Sequence, residues 1–234
     1  LLVGGITMVG ALITNQSPVD LTQVTPIARL TGDPLVVVVP AASEIQTIAD
    51  LLAAIEADVG GTIWAGGSAG GADHILAALV TQAAGGDLGQ LNYVAYSGGG
   101  EALAAMLGGQ VTAGISGYGE WQPQIVSGDL RALAISYPEP IEGIAAQPLK
   151  AQGVDVELVN WRGVFAGPDL SEEDKARLSA AFEAMVASPE WQEILAANGW
   201  SDYYLPAEEF EAFVASETER VRGILESLGL AGQG

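Results

Sequence analysis

No cysteine occurs among the 234 residues. Disulfides, thiolate nucleophiles and cysteine-ligated metals are therefore excluded, and the redox compartment stays undecided. Basic residues are scarce: eight Lys and Arg stand against 29 Asp and Glu, for a formal net charge of −21. A chain with so few cations has no patch to neutralise phosphates, which argues against nucleic acid and anionic membrane surfaces as partners. Lysine is reduced to Lys150 and Lys175, and histidine to His74 alone. Such a surface suits a salty or extracytoplasmic medium, where screening weakens self-repulsion; a plain solvated acidic surface is the alternative. No apolar run approaches the ~20 residues of a membrane-spanning helix. Phosphate-loop, dinucleotide, EF-hand and zinc patterns are missing. The acidic side chains fall mostly on helix faces, so no metal and no cofactor is expected.

Nearly half the residues are apolar (49%), enough for a real core. The chain is organised around Trp64-Ala65-Gly66-Gly67-Ser68-Ala69-Gly70-Gly71-Ala72-Asp73-His74. An apolar run enters this stretch from Thr62, and a helical pattern leaves it from Ile75 to Val80. It reads as strand, glycine-rich turn and helix N-terminus. Free N–H groups and the helix dipole make such a turn an anion cradle. A tight turn with no ligand is the alternative.

In chain order, Leu1–Val3 reads as a strand, Gly4–Gly10 as loop and turn, and Ala11–Thr14 as a short helix. Val24–Leu30 is strand-like, and Thr31-Gly32-Asp33-Pro34 interrupts it. The β-branched run Leu35–Val39 implies a strand buried on both faces, as in a parallel sheet. Ser43 and Gln46 form a capping box for the next helix. Val94–Tyr96 is a strand, followed by the glycine loop Ser97-Gly98-Gly99-Gly100 and a helix to Leu107. Strands are expected at Val111–Ile115, Leu130–Ile135 and Val154–Val159, the last continuing with a kink through Trp161–Ala166. From Ser171 the pattern is mostly helical, with Ser171 and Ser188 as caps, Gly199 past a helix end, a strand near Trp200–Leu205, and a long helix from Pro206 to Leu228.

Alternation of strands and helices with short loops predicts an α/β fold with parallel-rich sheets. The middle of the chain is self-contained and the two ends are not. The expected arrangement is two lobes: residues 33–162 form one continuously, and residues 1–32 plus 163–234 form the other. Ligands of open α/β sheets sit at strand carboxyl ends. That places Gly66–Asp73, Ser97–Gly100 and Ser116–Gly119 on one rim.

Gly66-Gly67-Ser68-Ala69-Gly70 also fits the hydrolase pattern G-x-S-x-G. A serine nucleophile needs a base, however, and His74 lies only six residues after Ser68 on the same helix, so Ser68 is not expected to be catalytic. Anion binding uses the same residues better: Ser68 offers a hydroxyl, and Ala69, Gly70, Gly71 and Ala72 offer N–H donors beneath small side chains. Asp73 opposes an anion if it points inward; capping its helix or binding a ligand hydroxyl are the alternatives. Gly98, Gly99 and Gly100 are costly to order, which points to a backbone that approaches something closely, or else to a flexible turn. Arg162, beside Trp161 at the expected lobe boundary, could grip a carboxylate bidentately or simply pack on Trp161.

These segments, with Leu21–Leu30, Tyr96–Leu103, Ser116-Gly117-Tyr118-Gly119-Glu120 and Asn160–Phe165, make the chain resemble the periplasmic substrate-binding receptors of the tripartite tricarboxylate transporter family. The resemblance runs through essentially the whole chain. It implies a two-lobe, type II periplasmic-binding-protein flytrap and no enzymatic activity. It implies capture of a carboxylate, the family's ligands including citrate-like tricarboxylates, C4 dicarboxylates and acidic amino acids, with a di- or tricarboxylate, citrate-like or C4, expected here, and delivery to a two-component membrane permease. A periplasmic or otherwise extracytoplasmic location and a monomer are expected with it. It extends the expected ligand set to Ile6, Thr7 and Met8 in the loop after the first strand, and to Ser116, Tyr118, Trp161 and Arg162. Relative to that family the first lobe is expected to be incomplete, lacking its N-terminal strand–helix part. A ligand sensor feeding a signalling protein, and a serine hydrolase using Ser68, are the competing functions.

Overall fold

The computed structural model describes residues 1–231. One strand governs its layout. β2, Thr25–Pro40, is 16 residues long, which at about 3.3 Å per residue makes it roughly 50 Å from end to end. Its first half pairs with β7 (Val159–Ala166) and β8 (Ser201–Pro206), and its second half with β5 (Ala113–Gly117) and β6 (Leu130–Ile135). β1 (Leu2–Gly5) extends the first group through β7. β3 (Ile63–Gly66) and β4 (Asn92–Ala95) extend the second through β5. The sheet is thus mixed: β3 runs parallel to β4 and β5, while every partner of β2 is antiparallel to it. Leu35–Val39 is fully buried, as its composition predicts, but its neighbours are antiparallel rather than parallel. Burial on both faces is set by what covers the sheet, and helices cover it here whichever way the strands run.

Residues 31–34 do not interrupt β2. Thr31, Gly32, Asp33 and Pro34 pair in turn with Arg162, Trp161, Asn160 and Val159. Pro34, which has no N–H to give a ladder, is tolerated because it falls at the changeover between the two groups of partners. Leu35 begins the second ladder opposite Gly117.

The helices are α1 (Ile6–Thr14), α2 (Ile48–Ala57), α3 (Ala72–Ala83), α4 (Gly99–Leu107), α5 (Tyr118–Ser127), α6 (Glu172–Val186), α7 (Pro189–Asn198) and α8 (Ala207–Ser227). α1 begins at once after β1, where a loop is expected, because Ile6, Val9, Gly10 and Ile13 bury one helical stripe. The cap of α2 is Thr47 with Asp50, in a reciprocal box, rather than Ser43 with Gln46. Ser43 Oγ instead accepts from the amide of Ile45 in the preceding turn. Val154–Leu158 is not a strand: Val156 N donates to Val154 O at 2.7 Å in a tight turn, although Val154, Val156 and Leu158 still fill the core. Ser171, Ser188 and Gly199 cap as expected. Trp64, Trp121, Trp161, Phe165 and Phe210 are the largest fully buried side chains. Among the described residues no helix is long and apolar enough to cross a membrane.

Candidate ligand-binding site

The parallel strands β3, β4 and β5 all point their carboxyl ends at one place, and α3, α4 and α5 each begin there. Three helix N-termini, each with unpaired N–H groups and partial positive charge, therefore converge on one cleft. The cleft measures about 230 Å³. β2 and β7 cross beneath it and add Asp33, Asn160 and Arg162, and α1 adds Thr7.

The loop after β3 is held largely by its own contacts. Asp73 Oδ2 accepts from the amide of Gly67 at 2.7 Å, which answers where this carboxylate goes: it ties the loop back onto α3. Gly70, at φ +74°, turns the chain, and its amide donates to His74 Nδ1 at 3.1 Å. His74 stacks on Tyr93 with ring centroids 4.1 Å apart, and the Tyr93 hydroxyl donates to Gly67 O at 2.8 Å. Gly71 N donates to Ser68 O, and Ala72 N reaches Thr7 Oγ1 at 3.5 Å. The expected run of free donors from Ala69 to Ala72 is thus mostly spent internally, because a short glycine loop must satisfy its own amides to hold its shape. Ser68, at the cleft, keeps its amide and hydroxyl free of protein partners among the described residues.

On the other two loops, Glu101 accepts from Ser97 N at 3.2 Å, and the Ser116 hydroxyl donates to Glu120 Oε2 at 2.6 Å. The Glu120 carboxylate lies so close to Gly99 that a Cβ there would collide with it and with Ser116 Oγ. That close approach accounts for glycine at this position. The Trp121 indole anchors the turn by donating to Gly99 O at 3.0 Å.

Arg162 donates through Nη1 to Asn160 Oδ1 and, at 3.2 Å, to Trp161 O. Asn160 Nδ2 donates onward to Asp33 Oδ2 at 3.4 Å. Among the described residues no carboxylate lies within ion-pair distance of Arg162. Three carboxylates, Asp33, Asp73 and Glu120, share the cleft with this one guanidinium. Burial, then the charges of Glu120 and Asp73, push Asp33 up to about 7 against the pull of Arg162. Burial pushes Asp73 up to about 6 and holds His74 down at about 4. The acidic groups are too dispersed for a metal: no cluster that could hold one occurs among the described residues.

Of the residues expected from sequence, Thr7, Ser68, Gly71, Ala72, Asp73, Ser97, Gly98, Gly99, Ser116 and Arg162 line the cleft. The others lie elsewhere. Ile6 is core, Met8 packs against Gly4, and Ala69 is exposed. Gly70 faces Thr14 and Leu225, and Gly100 is exposed on the first turn of α4. Tyr118 packs in the core cluster that contains Trp121. Trp161 is fully buried, edge-on to Phe210 and Phe213. Gly67 and Gly117, from two of the loops expected on the rim, line the cleft too, and Asp33, Glu120 and Asn160 line it unexpectedly. Asn160 was within reach of sequence reasoning, since alternation along a strand puts residues 160 and 162 on one face and 161 on the other.

The two-lobe fold, with a polar cleft where helix N-termini meet crossing strands, is the architecture of the periplasmic binding proteins. The hydrolase alternative lacks its dyad: no hydrogen bond joins Ser68 to His74 among the described residues, and His74 Nδ1 is occupied by Gly70. Residues 11–230 match the model of the tripartite tricarboxylate transporter family receptor (TctC), and the chain belongs to that family. It is 27% identical over 206 residues to the "UPF0065 protein in gbd 5'region" of Cupriavidus necator, an alignment covering 88% of this chain and 62% of that protein. The chain thus spans somewhat under two thirds of that relative's length. Among solved structures it is similar to a TctC solute-binding protein from Polaromonas, with TM-score 0.80, 24% identity, and coverage of 97% of this chain and 77% of that one. It is also similar to MatC from Rhodopseudomonas palustris with bound malate, with TM-score 0.76, 20% identity, and coverage of 95% and 78%.

Proposed function

We propose that this chain acts as an extracytoplasmic receptor that captures a small carboxylate, of the di- or tricarboxylate class, and delivers it to a two-component membrane permease. The observation that carries the reading is the convergence on one cleft of three helix N-termini and an arginine that has no ion-pair partner among the described residues. Each supplies donors suited to a carboxylate, and Arg162 can grip one bidentately. Membership of the receptor family and the malate held by a protein of the same fold favour the same ligand chemistry. In this reading residues 33–162 close against residues 1–32 and 163–234 by bending where β2 and β7 cross, and Ser68, Ser97, Gly98, Gly99 and Arg162 contact the ligand. The acidic surface repels an anion at long range, so affinity rests on short-range donors and screening salt. Isothermal titration with succinate, malate, citrate and tricarballylate tests this. Saturable binding of at least one in the micromolar range is expected; no heat and no thermal stabilisation with any of them at millimolar concentration overturns it.

A further inference from the structure

Asp33 sits where β2 changes from one set of partners to the other, and its carboxylate presses so closely on Gly117 that a Cβ there would collide with both oxygens. Its Oδ2 has only the long bond from Asn160 Nδ2, at 3.4 Å, and its Oδ1 is enclosed with no donor among the described residues. An enclosed acceptor without a donor is more costly charged than neutral. The surroundings add to that cost. Glu120 faces Asp33 from α5, Asp73 from α3 and Arg162 from β7, while Thr7 on α1, Ser97 before α4 and Ser116 on β5 bring no charge. Asp73 and Glu120 each have a short-range donor that holds their charge, Gly67 N and Ser116 Oγ. Both also stand in the first turn of a helix, where the dipole favours an acid. Asp33 has neither. Arg162 donates through Nη1 to Asn160 and to Trp161 O, and so reaches Asp33 only through Asn160.

We propose that the cleft takes up its anion together with one proton, and that Asp33 is the residue that holds this proton. The inference rests on the receptor reading above and adds a co-bound species to it. Three carboxylates already face one guanidinium, and a bound di- or tricarboxylate brings further negative charge into the same enclosed space. The carboxylate that most readily gives up its charge is the one without a donor to hold it. Protonation makes Asp33 a neutral carboxyl group, relieves its repulsion with Glu120 and Asp73, and leaves Arg162 to serve the ligand alone. The proton enters from solvent on capture and returns to solvent on release. A metal ion is not the counter-charge, since no cluster that could hold one occurs among the described residues. Burial already lifts Asp33 to about 7, and a bound anion raises it further. Below pH 7 the residue is mostly protonated beforehand and capture takes up little; above pH 7 each ligand must bring a proton in with it.

The test is calorimetric titration with succinate, malate, citrate and tricarballylate at pH 8, each in HEPES and in Tris, whose different ionisation heats reveal the protons taken up. Uptake of about 0.5–1 proton per bound ligand is expected, with affinity falling about five-fold or more between pH 7 and pH 8.5. Asp33→Asn keeps the shape and stays neutral at every pH. It should cut the uptake below about 0.2 proton, flatten the pH dependence to within about two-fold, and bind about three-fold or more tighter than the wild type at pH 8.5. Saturable binding by the wild type with no proton uptake at pH 8 overturns this inference and leaves the carboxylate reading standing; that result needs no variant. Uptake undiminished in Asp33→Asn overturns the assignment to Asp33. Weaker binding by Asp33→Asn than by the wild type at pH 8.5 overturns it too, since the cleft would then use the charge. Absence of binding by all four acids overturns this inference and the carboxylate reading together.

Discussion

The imidazole of His74 accepts the amide of Gly70 at Nδ1, 3.1 Å away, while its ring lies flat on Tyr93 with planes 6° apart. The first contact requires an unprotonated Nδ1, hence the neutral ring with its proton on Nε2. Burial depresses the folded value to about 4, below the ordinary 6.5. Between pH 4 and 6.5 the unfolded chain therefore binds more protons than the native one at this residue. The stabilisation it gives is complete above pH 6.5 and is lost as pH falls towards 4. Nitrogen-15 NMR should show a single Nε2–H tautomer and no protonation down to about pH 5; titration near 6.5 would contradict the contact.

Asp33 works in the opposite sense. Its folded value, raised to about 7 from 3.8, means that the native state holds the extra proton between pH 4 and 7. Its unfavourable contribution grows as pH rises through that window and is complete above 7. Asp33→Asn removes the charge and keeps the shape. The variant should match the wild type at pH 4 and exceed it by on the order of 2 kcal/mol at pH 8, read from denaturant unfolding at the two pH values. Asp73→Asn should show a smaller gain, since Asp73 rises only to about 6 and its charge also serves Gly67 N.

Most of the scaffold was legible because its signals are local. Ser171 and Ser188 announce helix starts, Gly199 a helix end, and the two glycine loops fall between strand and helix as their flanking patterns require. What stayed hidden depends on partners distant in sequence. Thr31-Gly32-Asp33-Pro34 has turn chemistry, yet pairing with Asn160–Trp161 and Val159 holds it extended. Asp33 thereby reaches the cleft, which no property of residues 31–34 alone foretells. Trp161, an aromatic beside an arginine, reads as a ligand contact, but strand alternation turns it into the core and gives the cleft its neighbour Asn160. Strand direction was illegible for a similar reason: a β-branched run reports burial and not the sense of its neighbours.

Arg162 supplies the only basic side chain lining the cleft among the described residues. If it grips a ligand carboxylate in two parallel hydrogen bonds, Arg162→Lys cannot replace it, because an ammonium lacks the planar fork. Affinity for the best carboxylate ligand should fall about 30-fold or more in Arg162→Lys and further in Arg162→Ala, the loss of a charge-assisted pair being worth about 2–3 kcal/mol. The unliganded melting temperature should change little, since among the described residues Arg162 has no ion-pair partner to lose. A large drop in stability with unchanged affinity would assign Arg162 to the fold instead of the site.

Two helical glycines should respond oppositely to one substitution. Gly223 lies exposed within α8, and a Cβ there would meet nothing within 4 Å. Gly223→Ala should stabilise the protein by about 0.5–1 kcal/mol through helix propensity and a less disordered unfolded chain. Gly10 lies buried within α1, and a Cβ there would collide with the carbonyl oxygen of Gly70. The neighbour is backbone at the tip of the binding loop, in a residue whose φ of +74° already restricts it, so it cannot yield by a rotamer change. Gly10→Ala should therefore cost about 1–3 kcal/mol despite the better propensity of alanine. The displacement should travel further, because the same residue donates its amide to His74. A looser Gly70 frees the His74 Nδ1, so the variant should raise the histidine's pKa towards 6.5 and weaken ligand binding together. Stability measured by denaturant unfolding, with the His74 titration followed by NMR on the same sample, separates this coupling from a merely local clash: a destabilised variant with an unmoved histidine would show that α1 buttresses the loop without setting its geometry.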